Sequence, residues 1–256
     1  MLNVLLDIDD TLLRFMKKDI WDQIPNRMDF ISLFYDDCVF MLRPNIIEFL
    51  NFLFSKYSVS IWTWGSADYA QIVSNLLTDS QPHKFKDILS LEDSEIASVI
   101  NETGGKDLRY IWYHFNKDHC PDFIREKIVW RNASIDLINQ DRNVLQKPLF
   151  LNKPMTLFSG YTPRNTILID DALHNLVEPN KYNMILVNPF GSRQDIPIMD
   201  NIDNEFDRIA QILETVDDHH QTLIDDHVPL MFNIHESLPL LDYQKNKIKN
   251  LQHSLS

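Results

Sequence analysis

The chain has 256 residues, 44% of them hydrophobic and 24% charged, with 15 Phe, 8 Tyr and 5 Trp. That is the make-up of an ordinary globular protein with a sizeable core, and it excludes disorder throughout. Only 5 glycines argue against Gly-rich phosphate loops, and a net charge of −13 argues against a binder of nucleic-acid backbone. Two cysteines, Cys38 and Cys120, cannot make a disulfide scaffold and suit a reducing interior.

The first residues lack a basic segment and a small-residue cleavage site, and no stretch approaches ~18 consecutive apolar residues. Neither a signal peptide nor a membrane span is therefore expected. Residues 3–8 form a short, near-continuous apolar run, as in a strand buried on both faces of a parallel sheet. A polar loop and a strand candidate at Cys38–Leu42 follow. Arg43-Pro44 then opens a helix whose apolar stripe is Ile46, Ile47, Phe49, Leu50, Leu53 and Phe54. Tyr57–Trp62 reads as a second buried strand ending at Thr63, and Ser66 caps a helix running to about Leu77. Residues 79 to about 150 carry less pattern: Thr103-Gly104-Gly105 is a break, and Lys106–Lys117 reads as an aromatic-rich helix. The rhythm resumes with the strand 165–170, a short helix near Ala172–Leu176, a strand at Met184–Val187 and a helix at Glu205–Val216. Alternating buried strands and amphipathic helices predict an α/β fold with a doubly wound, Rossmann-like parallel sheet. In such sheets ligands bind at the carboxyl ends of the strands, where Asp7, Thr63 and Asp170 fall.

Asp7 and Asp9 lie two residues apart where the first strand gives way to a loop, so an extended chain points both carboxylates to one side. Close carboxylates repel and need a cation or a shared proton between them. Mg²⁺ fits, being a hard ion that takes oxygen ligands, and Asp170-Asp171 offers the remaining oxygens. The motif Asp7-Ile8-Asp9-Asp10-Thr11-Leu12 resembles the first motif of the haloacid-dehalogenase-type phosphatases. Further stretches resemble one branch, the NLI-interacting-factor-like or RNA polymerase II C-terminal-domain phosphatases: Arg43-Pro44 with Glu48-Phe49-Leu50, the strand ending in Thr63 with Ser66 and Tyr69-Ala70, and Ile167–Asp171 followed by Asn180 to Phe190.

The resemblance implies a Mg²⁺-dependent phosphatase acting through an aspartyl-phosphate, with phosphoserine or phosphothreonine in proteins as substrate. Asp7 would be the nucleophile and Asp9 the general acid and base, while Thr63 would hydrogen-bond a phosphoryl oxygen. Lys153, which lies 17 positions before Asp170, would neutralise the phosphoryl group and is preferred over Lys147. Asp7, Asp9 through its backbone carbonyl, and Asp171 would hold the metal, with Asp170 orienting a metal-bound water or the lysine. The same resemblance implies a core of 1–79 and 150–218 with a cap-like insertion at 80–149, and the polar, largely unpatterned residues 219–256 read as a tail.

Trp64-Gly65 departs from the smaller residues usual after Thr63, with core packing the preferred reading for the indole. The alternatives are a small-metabolite or nucleotide phosphatase with a substrate-selecting cap, or a non-catalytic interaction module on the same fold. His114, His119 and Cys120 lack a fourth ligand at zinc spacing. No nucleic-acid or membrane partner is expected. A cytoplasmic location is expected, and a nuclear one would suit the family.

Overall fold

The apolar run at the start forms β1, Asn3–Leu6, all four residues buried. It lies at the centre of a parallel sheet because both of its edges are paired: Val4 sits opposite Val59 of β5 (Ser58–Trp62) and opposite Ile167 of β7 (Thr166–Asp170). Among the described residues two short strands extend the sheet, β6 (Ile88–Leu89) beside β5 and β8 (Met184–Leu186) beside β7, giving the order β6-β5-β1-β7-β8. The chain moves outward from β1 on one side through β5 and β6, then crosses back to β7 and β8. The carboxyl end of β1 is therefore the switch point of the winding, where an open α/β sheet leaves a crevice. The structure, a computed structural model, describes residues 1–24, 27–79, 82–101, 105–114, 160–177, 180–191 and 203–220.

The two-residue period of the strands sorts their side chains between two layers. Val4, Leu6, Val59, Ile61, Ile167 and Ile169 face a core covered by α2 (Ile46–Lys56), α3 (Ala67–Thr78) and α6 (Glu205–His220). Leu5, Trp62 and Leu168 face the opposite layer with Leu108 and Ile111, below α4 (Leu91–Asn101) and α5 (Arg109–His114). The helix expected from Pro44 begins at Ile46, because Asn45 takes a left-handed conformation (φ 62°) before it. Ser66 caps α3 as expected, accepting the Tyr69 backbone N–H.

The strand expected at Cys38–Leu42 is present, but the residues before it, 13–37, depart from the expected polar loop. β2 (Leu13–Lys17), β4 (Cys38–Leu42) and β3 (Ser32–Tyr35) form a small antiparallel sheet in the order β2-β4-β3, with the short helix α1 (Lys18–Trp21) after β2. One face carries Met16, Val39 and Met41 inward, while Phe15, Phe34 and Tyr35 remain exposed. The outward aromatics disguise the alternation in the sequence. The expected insertion also begins within sheet structure, since β6 is paired to β5 and α4 packs beyond it. Residues 115–159 lie outside the described residues, as does the tail beyond His220. Among the described residues, no helix is long and apolar enough to cross a membrane.

Arg43 ties this frame to the loop after β1. Its guanidinium, only 2% exposed, donates to the Thr11 carbonyl (3.1 Å) and to Asp203 ahead of α6 (2.8 Å), between the rings of Phe190 and Phe206. Breaking such a pair leaves a buried acceptor and a partly buried carboxylate without their cation. Arg43→Met is expected to lower stability by about 3 kcal/mol, measured by urea unfolding.

Candidate active site

Asp7 is the first residue past β1, and its backbone N–H still bonds to Ile169 of β7, so its carboxyl group is fixed beside Asp170 at the end of β7. Carboxylate oxygens of Asp7, Asp170 and Asp171 lie within 4.8 Å of one another. Three acids so close require a cation, and a lysine supplies one charge. Lys106, fully buried, donates from Nζ to Asp7 Oδ1 and to Asp170 Oδ2, the latter at 2.8 Å. Burial alone would lower the Lys106 pKa. The charges of Asp170 and Asp7 outweigh it, and the ammonium is held above its usual range. Asp7 is pushed well above the carboxylate range, first by burial and then by Asp170 and Asp171, against the opposing pull of Lys106.

The lysine is positioned by its backbone. Asn175 Oδ1 accepts the Lys106 N–H (2.8 Å), and Asn180 Nδ2 donates to the Lys106 carbonyl (2.5 Å). The preceding Gly105 has φ 120°, and a Cβ there would come within 2.7 Å of the His174 carbonyl, so only glycine lets this strand of chain pass so close. Asn175 also donates to Asp170 Oδ2 (2.9 Å), while the Ala172 N–H caps Oδ1 (2.8 Å). Asp170 is thereby held at both oxygens, with Oδ2 turned to the lysine.

Asp9 stands at the exposed rim of the same cavity, two residues beyond Asp7. Tyr69 Oη donates to its Oδ1 at 2.5 Å. Gly65 makes this approach possible, because a Cβ at that position would overlap the Tyr69 ring. Phe15 and Phe40 pack against the ring from the small sheet, with centroids 5.7 and 6.1 Å away. Burial on its inner side raises the Asp9 pKa, and the Tyr69 hydrogen bond partly offsets this by favouring the anion. Removing the hydroxyl therefore raises the Asp9 pKa further and extends its protonated form to higher pH. If Asp9 is the proton donor, Tyr69→Phe is expected to move the alkaline limb of the pH–rate profile upward. It should also lower kcat about tenfold through loss of positioning. A limb that stays in place would contradict the coupling.

Thr63 is fully buried at the end of β5, and its Oγ1 accepts the Gly65 N–H at 2.9 Å, which leaves its own proton available to donate. The cavity at these groups has a volume of about 490 Å³ and is lined by Asp7, Asp9, Asp170 and Asp171 together with Trp64, Ser98 and His174. Of the residues expected from sequence, Asp7, Asp170 and Asp171 come together, and Asp9 joins them at the rim. Lys153 and its rival Lys147 lie outside the described residues. The lysine that the structure sets against Asp7 is Lys106, 64 positions before Asp170. Its signal was present in the sequence: a lysine directly after the Gly104-Gly105 break, at the head of an apolar segment.

Residues 2–121 match the family of NLI interacting factor-like phosphatases. Over that segment, just under half of the chain, the sequence is similar to this family. The match runs through β1, the small sheet, β5 and α3 to Lys106, so it takes in the acidic motif, Thr63 and the buried lysine. Two solved structures share the architecture. One is Fcp1, described as an essential RNA polymerase II CTD phosphatase, at 15% identity and a TM-score of 0.51, covering 86% of this chain and 63% of that one. The other is a variant of the fission yeast RNA polymerase II CTD phosphatase Fcp1 bound to beryllium fluoride, also at 15% identity and a TM-score of 0.51, covering 92% and 70%. At that identity the likeness shows the fold alone, a mostly parallel sheet with flanking helices, and the chain spans just under two thirds of the first structure. Among curated proteins none matches the chain. The doubly wound sheet expected from sequence is the architecture shared with these two structures.

Proposed function

We propose that the chain is a phosphomonoester hydrolase in which Asp7 is the nucleophile. The observation that carries this reading is the set of Asp7, Asp170 and Asp171 gathered around buried Lys106, with Asp9 two residues beyond the nucleophile. Its similarity to the NLI interacting factor-like phosphatases supports the same chemistry.

In the first step an Asp7 oxygen bonds to phosphorus as the bond from phosphorus to the leaving oxygen breaks. Asp9, whose pKa burial raises, passes its proton to that oxygen. In the second step Asp9 takes a proton from water, whose oxygen attacks the aspartyl-phosphate and releases Asp7 and inorganic phosphate. Lys106 holds a permanent positive charge against Asp7 through both steps, and the Thr63 hydroxyl donates to a phosphoryl oxygen. Asp170 also orients Lys106.

The donor set also fits Mg²⁺: hard carboxylate oxygens from Asp7, Asp170 and Asp171 would hold the ion, with the Asp9 backbone carbonyl completing the protein ligands. Bound there, it supplies charge that keeps Asp7 ionised and offsets the phosphoryl oxygens. Chelation with EDTA is expected to reduce hydrolysis of an aryl phosphate at least about 100-fold, with recovery on adding Mg²⁺. Full activity in EDTA would sink the metal assignment.

For substrate we propose a phosphorylated protein side chain. The support is the family resemblance and the two neighbouring structures, both described as phosphatases of an RNA polymerase II domain. Phosphoserine and phosphothreonine are the side chains implied by that resemblance.

A further inference from the structure

Asp93 is a buried carboxyl group that takes no part in the proposed chemistry, yet it joins the two elements that carry the phosphoryl-binding groups. It lies in the first turn of α4, where its Oδ2 accepts the Ser90 N–H (2.9 Å), and its Oδ1 accepts from Tyr110 Oη of α5 (3.0 Å). Capping α4 uses one carboxyl oxygen. The other holds a tyrosine four residues after Lys106. Each side of this bridge leads to one phosphoryl-binding group. The start of α4 is fastened to the end of β5: Ser94 Oγ donates to the Thr63 carbonyl (3.0 Å) and accepts the Trp62 Nε1–H (3.0 Å), and the Leu91 N–H bonds to the Gly65 carbonyl (2.8 Å). The start of α5 follows Lys106 directly, because Asp107 Oδ1 accepts the Arg109 N–H (2.9 Å) and the Asp107 carbonyl accepts the Tyr110 N–H (2.9 Å). The Tyr110 ring also packs beside the Trp62 indole, with centroids 6.3 Å apart.

We propose that Asp93 and Tyr110 are positioning residues: their bond sets the Thr63 hydroxyl and the Lys106 ammonium at the spacing of one phosphoryl group. The inference rests on the phosphatase reading of the site, which gives both groups to the phosphoryl oxygens, and it leaves the substrate of that reading unchanged. Asn175 and Asn180 hold Lys106 toward Asp170, and the Asp93–Tyr110 brace holds it toward Thr63. Neither brace residue touches the reacting atoms. Their effect is on geometry, and a misplacement of about 1 Å between groups that stabilise a transition state can cost up to about 10²-fold in rate.

The test is a double-mutant cycle on the full chain between Tyr110→Phe, which removes one hydroxyl, and Lys106→Met, read as kcat/KM on an aryl phosphate. Tyr110→Phe alone is expected to lower kcat/KM about tenfold. In the Lys106→Met background it should have no further effect, because no ammonium is left to be placed. A merely structural loosening would cost the same factor in both backgrounds, and that result would overturn the proposal. Asp93→Asn is the second variant. Its amide still accepts the Ser90 N–H and donates to Tyr110 Oη, so it should keep most of the activity. A fall as deep as that of Tyr110→Phe would overturn the proposal. Calorimetry with inorganic phosphate and Mg²⁺ repeats the cycle without turnover. Tyr110→Phe should weaken phosphate binding about fivefold, the worth of one hydrogen bond, and only where Lys106 is present. If that coupling is found but no phosphomonoester is hydrolysed, the brace stands and the catalytic reading fails. If Tyr110→Phe hydrolyses esters at the full rate, the catalytic reading stands and the brace fails. A wild-type chain that neither hydrolyses esters nor binds phosphate overturns both.

Discussion

Lys106→Met is expected to lower phosphomonoester hydrolysis by at least about 10²-fold, the scale of removing one fixed electrostatic group from a transition state. The same change should cost about 3 kcal/mol of stability at neutral pH. Lys106 is fully buried and is the cation shared by Asp7 and Asp170, so its loss leaves two buried carboxylates face to face. Part of that cost is recovered when Asp7 takes up a proton, since burial and Asp170 already push its pKa upward. Urea unfolding at neutral and at acidic pH separates the two contributions: the deficit of the variant should shrink as pH falls and Asp7 becomes neutral. Lys106→Arg should not rescue activity, because a planar fork cannot replace a compact ammonium pinned between two single oxygens. Should Lys106→Met retain full activity, the lysine's role falls to another residue and Lys153 returns as the candidate.

Asp7→Asn is expected to reduce kcat by at least about 10⁴-fold, as removal of a nucleophile does when no neighbour can take its place. The substitution is nearly isosteric. It also removes a carboxylate that burial disfavours, so the fold should persist, and unfolding measurements should confirm a stable protein. Asp9→Asn makes a useful contrast. It should slow esters with poor leaving groups far more than activated aryl phosphates, because the proton it gives matters most where the leaving oxygen is basic.

Much of the fold could be read from the chain because β1, β5, β7 and β8 are buried on both faces and appear as short continuous apolar runs. α2, α3 and α6 carried a clear one-sided stripe. The acidic motif was equally plain, since Asp7, Asp9, Asp170 and Asp171 all sit where strands end. Three features were hidden for physical reasons. The small antiparallel sheet turns Phe15, Phe34 and Tyr35 outward, so its apolar residues do not alternate cleanly with polar ones. β6 has two residues and no period to detect. Lys106 was missed because spacing along the chain is a poor guide to a group brought in from another loop. What fixes it is contact with Asn175 and Asn180, and those bonds form only once β7 lies beside β1.

Tyr69 shows the same limit on a smaller scale. Its place in the sequence suggests only a helix residue packed on the sheet. Its hydroxyl reaches Asp9 because Gly65 clears the path and Phe15 and Phe40 hold the ring.

The central claim is that phosphorus becomes covalently bound to Asp7. The direct measurement is acid quenching of the enzyme during turnover, borohydride reduction of the acyl phosphate, and peptide mass spectrometry. The account predicts homoserine in place of aspartate at residue 7, dependent on substrate and absent from Asp7→Asn. Reduction at another carboxylate, or sustained turnover by Asp7→Asn, would contradict it.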